Sequence, residues 1–410
     1  MKRTASVALG LAVCAACSDS PRSLETLLVG TPPATYEAVD LGSLAPPGDP
    51  GGGRSHATDI NDRGQVVGYS LTGGEPRPYG EMHAFLWADG VMTDLGTLGG
   101  PPEWSHSAAL FINAAGQVTG VSNVAATERH PFLWQDGVMQ DLGTLGGTWS
   151  EPRGINIAGQ VVGYSTTATG DSHAFLWQSG GMQDLGTLGG PSSDAHSINA
   201  VGQVVGEATT ATAETHAFLW DSGVLQDLGT LGGTFSTATA INDLGQVTGE
   251  STDLLGVHHA FLWERGVMND LGTLPGYATS SGSAVSALGA VAGITSTAAG
   301  TQHGFYWERG AMYDIGTLGG TRTWVSGVNP RGQVVGVSFT CGNIFCAQAY
   351  SWEDGVMTSL PALPGHRNAN AAAVNTRGDV VGESSLQVDS DLRRAVLWRR
   401  AEAGVLAALP

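Results

Sequence analysis

Lysine is all but missing from this chain. The single one is Lys2, and 18 Lys and Arg residues stand against 37 Asp and Glu, for a formal net charge of -19. A body this acidic repels phosphate backbones and anionic lipid surfaces, which excludes nucleic acid as a partner. Cysteine is scarce too: four in 410 residues supply no zinc-ligand spacing. Past the N-terminus no apolar run is long enough to cross a bilayer as a helix. Helix-forming runs are absent as well. In their place stand 61 glycines with only 13% charged residues, the text of short strands and tight turns. Neither a nucleophile elbow nor a phosphate loop occurs.

What the chain does have is repetition. The stretch HAFLWQSGGMQDLGTLGG, residues 173–190, recurs in close copies whose tryptophans are Trp87, Trp134, Trp177, Trp220, Trp263, Trp307, Trp352 and Trp398. The gaps are 47, 43, 43, 43, 44, 45 and 46 residues. A period in the low forties matches one four-stranded propeller blade. The expected fold is all-β: a β-propeller of eight four-stranded blades over residues 36–410, with an open solenoid as the alternative, disfavoured by its two exposed sheet edges.

Within residues 145–188 each strand is legible. Asn156, followed three places on by Gly159, reads as a tight turn whose asparagine bonds its own backbone, so two strands form a hairpin there. The pattern recurs at Asn61, Asn113, Asn199, Asn242, Asn329 and Asn375, with Ser286 in place of asparagine in the sixth unit. In HAFLW, His173, Phe175 and Trp177 face one side and Ala174 and Leu176 the other, as a sheet sandwiched between sheets requires. A second turn of the same kind at Gln178–Gly180 leads to a fourth strand. Residues 36–44, YEAVDLGSL, read as a stray fourth strand, and residues 36–41 are expected to pair with the final blade and seal the circle.

Residues 1–17 carry two positive charges, a short apolar run and small residues ending in Cys17, an export signal. Cys14–Cys17 resembles a lipobox, making Cys17 the lipidated residue of an envelope or extracellular protein, most simply an outer-membrane lipoprotein. Ordinary cleavage after Ala16 is the alternative. Residues 18–35 then read as a flexible tether. Cys341 and Cys346 are expected to form a disulfide in a compartment that allows it.

Six histidines precede an aspartate by eleven residues: His83 with Asp94, His130 with Asp141, His173 with Asp184, His216 with Asp227, His259 with Asp270 and His303 with Asp314. Folding each hairpin about its turn sets the two opposite each other. Histidine with aspartate suits metal binding or acid–base chemistry, but six copies around a ring cannot converge on one substrate. The pairs are read as structural ties of about 1.5–3 kcal/mol each. Gln348 with Ser359, and Arg394 with Ala408, lose both members together. The tryptophans and asparagines are read as packing and turn residues.

Ligand binding is expected on the face with variable loops, including residues 71–80, 165–171 and the cysteine loop. Trp104, Trp149, Phe235, Tyr277 and Trp324 stand near that face, either as a stacking surface for a ligand or as interblade filler. The acids Glu103, Glu151, Asp194 and Glu207 look scattered, with no distinguished catalytic set. The reading is a monomeric binding or scaffold module for a glycan or protein, touching the membrane only through its N-terminal lipid, with no cofactor, no metal and no enzymatic activity. The alternative is a polysaccharide hydrolase or lyase.

The repeated His-Ala-Phe with Leu-Trp, the Asp-Leu-Gly-Thr-Leu-Gly-Gly segment and the Ile-Asn-x-x-Gly-Gln-Val-x-Gly segment together resemble the bacterial extracellular HAF repeat family. The resemblance spans nearly the whole chain after the leader. It implies an exported repeat protein of propeller form and carries no activity with it.

Overall fold

The computed structural model describes residues 34–49, 53–73, 81–100, 105–341, 346–386 and 392–401. Among them are thirty-two β-strands and no helix. Residues 1–33, where a leader and tether are expected, Glu103, Trp104 and the C-terminal segment with Ala408 lie outside the described residues. Repeat units are numbered here by their tryptophans, and their strands lettered a to d.

Unit 3 shows the pattern. Its strands Gly146–Ile155, Val161–Thr167, Ser172–Gln178 and Gly181–Asp184 pair antiparallel, each with the next. Asn156 shapes the first hairpin: its Oδ1 accepts the amides of Ala158 and Gln160 at 3.0 and 3.1 Å, and Gly159 takes a φ of 77°. The second hairpin differs from the sequence expectation. Ser179 and Gly180 both have positive φ, 52° and 83°, which makes a two-residue type I′ turn suited to the twist of its strands. The glycine of Val-Val-Gly has a separate cause. Strand a bulges between Pro152 and Gly154, so a Cβ on Gly163 would overlap the Glu151 carbonyl.

The two faces of HAFLW pack as its alternation demands. Ala174 and Leu176 meet Ala195, Val204, Phe218 and Trp220 of unit 4, while Phe175 and Trp177 meet Leu133 and Leu142 of unit 2. Units 1 to 6 thus bury their phenylalanine against the preceding unit, with Tyr350 and Val396 in its place in units 7 and 8, and truncating such a phenylalanine costs about 3–5 kcal/mol. Strand a of the following unit adds a polar clasp. Ser193 Oγ accepts Ala174 N at 2.8 Å and donates to Gly186 O at 2.6 Å.

The last unit joins the first. Tyr36–Asp40 pairs antiparallel with Arg393–Arg400, Leu41, Ile60, Trp87, Val381 and Leu397 share one core, and Ser55 Oγ bridges Ala395 N and Gly42 O at 2.9 and 2.6 Å. Asp40, and not Ala408, therefore fills the aspartate position facing Arg394. The reading that this unit loses both pair members is corrected: a distant segment supplies the carboxylate. Hydrogen-bonded order gives five sheets, because single parallel bridges such as Trp149 to Arg129 fuse neighbouring units.

Candidate functional site

The histidine–aspartate pairs all form, with Nδ1 to carboxylate distances of 2.8–3.0 Å. Each aspartate also accepts the amide of the glycine two residues on, Gly186 N to Asp184 Oδ1 at 2.7 Å being one case, which explains Asp-Leu-Gly as a unit. Burial of Asp94 and Asp141 opposes ionisation, but the bonds from His83 and His130 and from Gly96 and Gly143 outweigh it and hold both carboxyls below the usual range. The six aspartates are 42–44% exposed. Solvent screening cuts the expected worth of each tie to about 0.5–1 kcal/mol. The pairs stay one to a unit and do not converge. Ser359 Oγ lies 3.4 Å from Gln348 Oε1, a weaker version of the same tie.

Cys341 and Cys346 are joined in a disulfide. The aromatic candidates are spread around the molecule instead of gathered. Tyr277 and Phe235 tilt against His303 and His258 at 5.4 and 5.5 Å, and Trp324 packs edge-on against Phe339 while donating to Gln302 at 3.1 Å. Trp149, 37% exposed, is the one tied to a cavity: the Arg129 guanidinium lies 5.1 Å over its ring.

That cavity, of about 490 Å³, is lined by residues of units 8, 1 and 2. Three guanidiniums, Arg54, Arg129 and Arg393, line it, with Glu383 as the one carboxylate among the described residues. Glu383 is engaged by His56 Nδ1 at 3.0 Å, Asn370 Nδ2 at 3.0 Å and Arg393 Nη1 at 3.3 Å. Burial would raise its pKa, but His56, Arg393 and Asn370 together bring it down to about 2. His56 stacks on Tyr69 at 5.1 Å. His106 Nδ1 accepts Met82 N at 3.2 Å, and its pKa is lowered chiefly by burial. Its Nε2–H is thereby the donor left for a ligand.

The cavity belongs to a wider pattern invisible in the linear text. Strand a of each unit places one residue after its buried Ser, Thr or Ala at the same register position, opposite the residue after the Val-Val-Gly glycine. Around the ring these pairs are His56 with Tyr69, Ala108 with Val121, Glu151 with Tyr164, Asp194 with Glu207, Thr237 with Glu250, Ser281 with Ile294, Trp324 with Val337 and Asn370 with Glu383. The most irregular position of the repeat is therefore where ionisable groups collect. Aligning the units and looking for what differs is the signal that finds it.

One consequence overturns a sequence expectation. The acids that look scattered are neighbours: Asp194 faces Glu207 across paired strands, Arg153 Nη2 lies 3.5 Å and His196 Nε2 3.8 Å from Asp194 Oδ2, and Glu151 accepts from Tyr164 at 3.4 Å. Asp194 Oδ1 is buried without a hydrogen-bond partner among the described residues. Burial, helped by Glu207, lifts the Asp194 pKa despite His196 and Arg153. A carboxyl whose acidity is weakened by burial, opposite a second carboxyl and beside an arginine and a histidine, is a recurring arrangement for proton transfer. Among the described residues no group of three or more His, Cys, Asp or Glu side chains is placed to hold a metal ion.

No family model and no curated protein matches this chain. Solved structures do. A prolyl endopeptidase is 12% identical with a TM-score of 0.54, covering 82% of this chain and 54% of that one. A puromycin-hydrolyzing peptidase of Mycobacterium tuberculosis is 13% identical with a TM-score of 0.50, covering 84% and 60%. The β-propeller domain of the Trilobed protease from Pyrococcus furiosus is 11% identical with a TM-score of 0.48, covering 75% and 98%. The chain spans only six-tenths or less of the two peptidases' length, and at these identities the likeness shows fold alone. The expectation that the chain is no enzyme is nevertheless corrected. It rested on the absence of a catalytic cluster, whereas the fold is shared with peptidases and Asp194, Glu207, Arg153 and His196 do form a cluster. The chain is a β-propeller repeat protein.

Proposed function

We propose that the eight units are eight blades of one closed propeller of the HAF repeat kind. It would be exported and held at the cell envelope by lipid on Cys17, and it presents the cavity between units 8, 1 and 2 to a protein or glycan. The observation that carries this reading is the concentration of Arg54, Arg129 and Arg393 around one cavity in a chain of net charge -19. Guanidiniums gathered in a chain of net negative charge mark a place for a ligand. Peptide and glycan arrays probed with the purified chain, and with Val121→Trp to fill the cavity, test it. Signals that vanish in the variant at unchanged melting temperature support the site. No signal at all, or signals indifferent to Val121→Trp, would overturn it.

A second reading, a polysaccharide hydrolase or lyase, is favoured by the Asp194 cluster. Two carboxylates facing each other across paired strands, beside an arginine and a histidine, suit glycosidic bond chemistry. Sugar release from plant and bacterial polysaccharides, compared between the native chain and Asp194→Asn, checks that reading directly.

A further inference from the structure

We infer that the cavity between units 8, 1 and 2 takes a carboxylate carried on an apolar body, in the form of a peptide C-terminus ending in an aliphatic residue. The inference rests on that cavity being the ligand site and names its ligand.

Two features of the lining act together. The first is charge: among the described residues Arg129 lines the cavity with no carboxylate paired to it, and the one carboxylate in the lining, Glu383, is already answered by His56, Asn370 and Arg393. A ligand carboxylate entering beside Arg129 meets a planar donor whose direction is set by its stack on Trp149, so little side-chain freedom is lost on binding. His106 adds a neutral N–H donor, because its other ring nitrogen is committed to the Met82 amide.

The second feature is the floor. Leu71, Met82, Ala108 and Val121 line it, and all four are aliphatic. An acidic sugar brings a ring of hydroxyls, and these apolar side chains offer them no hydrogen-bond partner in place of water. An aliphatic side chain gains there what the hydroxyls lose. A cavity of about 490 Å³ has room for one or two residues of a peptide. Aliphatic floor and cationic wall thus select an apolar terminal residue with its free carboxylate over an uronate or a neutral glycan.

The test is calorimetric titration of the purified full chain with a matched pair of probes, N-acetyl-Ala-Ala-Leu as the free acid and as the C-terminal amide. A third arm uses the uronate trisaccharide. The free acid is expected to bind at least about tenfold more tightly than the amide, the order of one charge-assisted hydrogen bond. Arg129→Gln should abolish that preference. Equal affinity for acid and amide overturns the inference, and so does tighter binding of the uronate. If an array ligand without a carboxylate binds in a manner lost with Val121→Trp, the cavity remains the site and only the ligand class falls. If no probe or array ligand responds to Val121→Trp, both fall.

Discussion

Asn375 Nδ2 donates to the backbone oxygen of Asn61 at 3.3 Å, across 314 positions of sequence. It is one link of a belt. Asn61, Asn113, Asn156 and Asn199 reach the carbonyls of Asn113, Asn156, Asn199 and Asn242 at 2.9–3.1 Å, Asn242 reaches Ser286 at 2.9 Å, and Asn329 reaches Asn375 at 3.1 Å. Each asparagine also bonds a glutamine or aspartate four residues on, as Asn156 does Gln160 at 2.6 Å. A residue chosen by the turn is thereby recruited to join units.

The belt has one gap, at Ser286, whose hydroxyl accepts Ala290 N at 3.0 Å and is too short to reach the next unit. Ser286→Asn is expected to complete the circle and raise the melting temperature by about one to three degrees. Asn156→Ala, which orphans both turn amides and the neighbouring carbonyl, should cost about 2–3 kcal/mol. Thermal unfolding of the two variants checks both. A Ser286→Asn chain no more stable than the native one would deny that the belt contributes.

The N-terminal strand is the latch, and its polar lock is buried at one end. Tyr36 OH meets Ser351 Oγ at 3.0 Å and Gln333 Nε2 at 2.9 Å, with Gln333 wholly buried. Tyr36→Phe should cost about 1 kcal/mol, one buried hydrogen bond. Deleting residues 34–41 should do far more, baring the edge of Arg393–Arg400 and promoting self-association. Light scattering and denaturant midpoints measure both. A deletion variant that stays monomeric with an unchanged midpoint would show that the circle holds without its latch.

Replacing the histidine–aspartate ties should be mild and additive. Asp94→Asn and Asp141→Asn are each expected to cost under about 1 kcal/mol at neutral pH, their carboxyls being partly exposed, and the double variant to lose the sum. The carboxyls' lowered pKa values fix the sign. Their contribution is present above the unfolded carboxylate range and fades as acid protonates them, so native and variant stabilities should converge at low pH. Differences that grow in acid would contradict the assignment.

Much of this molecule was written plainly in the repeat. Period, strand alternation, the turn asparagines and the latch at residues 36–41 are all local or periodic signals, and the chain repeats them until noise averages out. What the text hides is whatever depends on position around the ring. Asp194 and Glu207 sit thirteen residues apart and His56 and Glu383 more than three hundred, yet each pair is brought to one place by a register the linear order does not display. The type I′ turn was missed for a smaller reason. Ser179, Ser222, Arg265 and Arg309 take positive φ without the Asn or Asp that usually announces it, although Asp89-Gly90, Asp136-Gly137 and Asp354-Gly355 do carry that signal. The clasp by Ser55, Ser107 and Ser193 could not be read because serine is common and its partners lie in the preceding unit.

Glu383 makes the cavity itself sensitive to acid. Its pKa of about 2 lies below the ordinary glutamate value of 4.5, so the unfolded chain takes up the proton first as pH falls. The stability it confers is complete above about pH 4.5 and is lost as pH falls toward 2, in total about 2–3 kcal/mol. Glu383→Gln should therefore be less stable than the native chain at pH 7 and match it near pH 2. A stability difference that is flat from pH 7 to 2 would deny the ion cluster any net role.

Asp59 shows the opposite sign. It lies in strand a of unit 1, where the matching residues include Phe111, Gly154 and Ser197, and its carboxylate accepts Ile60 N at 2.8 Å and Ile112 N at 3.0 Å. Burial outweighs those two bonds and lifts the pKa from 3.8 to about 6. The folded chain then holds the proton more tightly than the unfolded one. Stability from the protonated form is full below about pH 4 and is lost as pH rises through 6, about 1–3 kcal/mol in all, since part of the residue still meets solvent. Asp59→Asn cannot ionise, and its amide nitrogen cannot accept the second backbone bond, which should cost about 1 kcal/mol in acid. At pH 3.5 the variant should be the less stable protein; at pH 7.5 it should draw level or lead. Urea unfolding at the two pH values decides the matter, and a native-minus-variant difference that does not change between them would mean that Asp59 is ionised throughout and stabilised by its two amides.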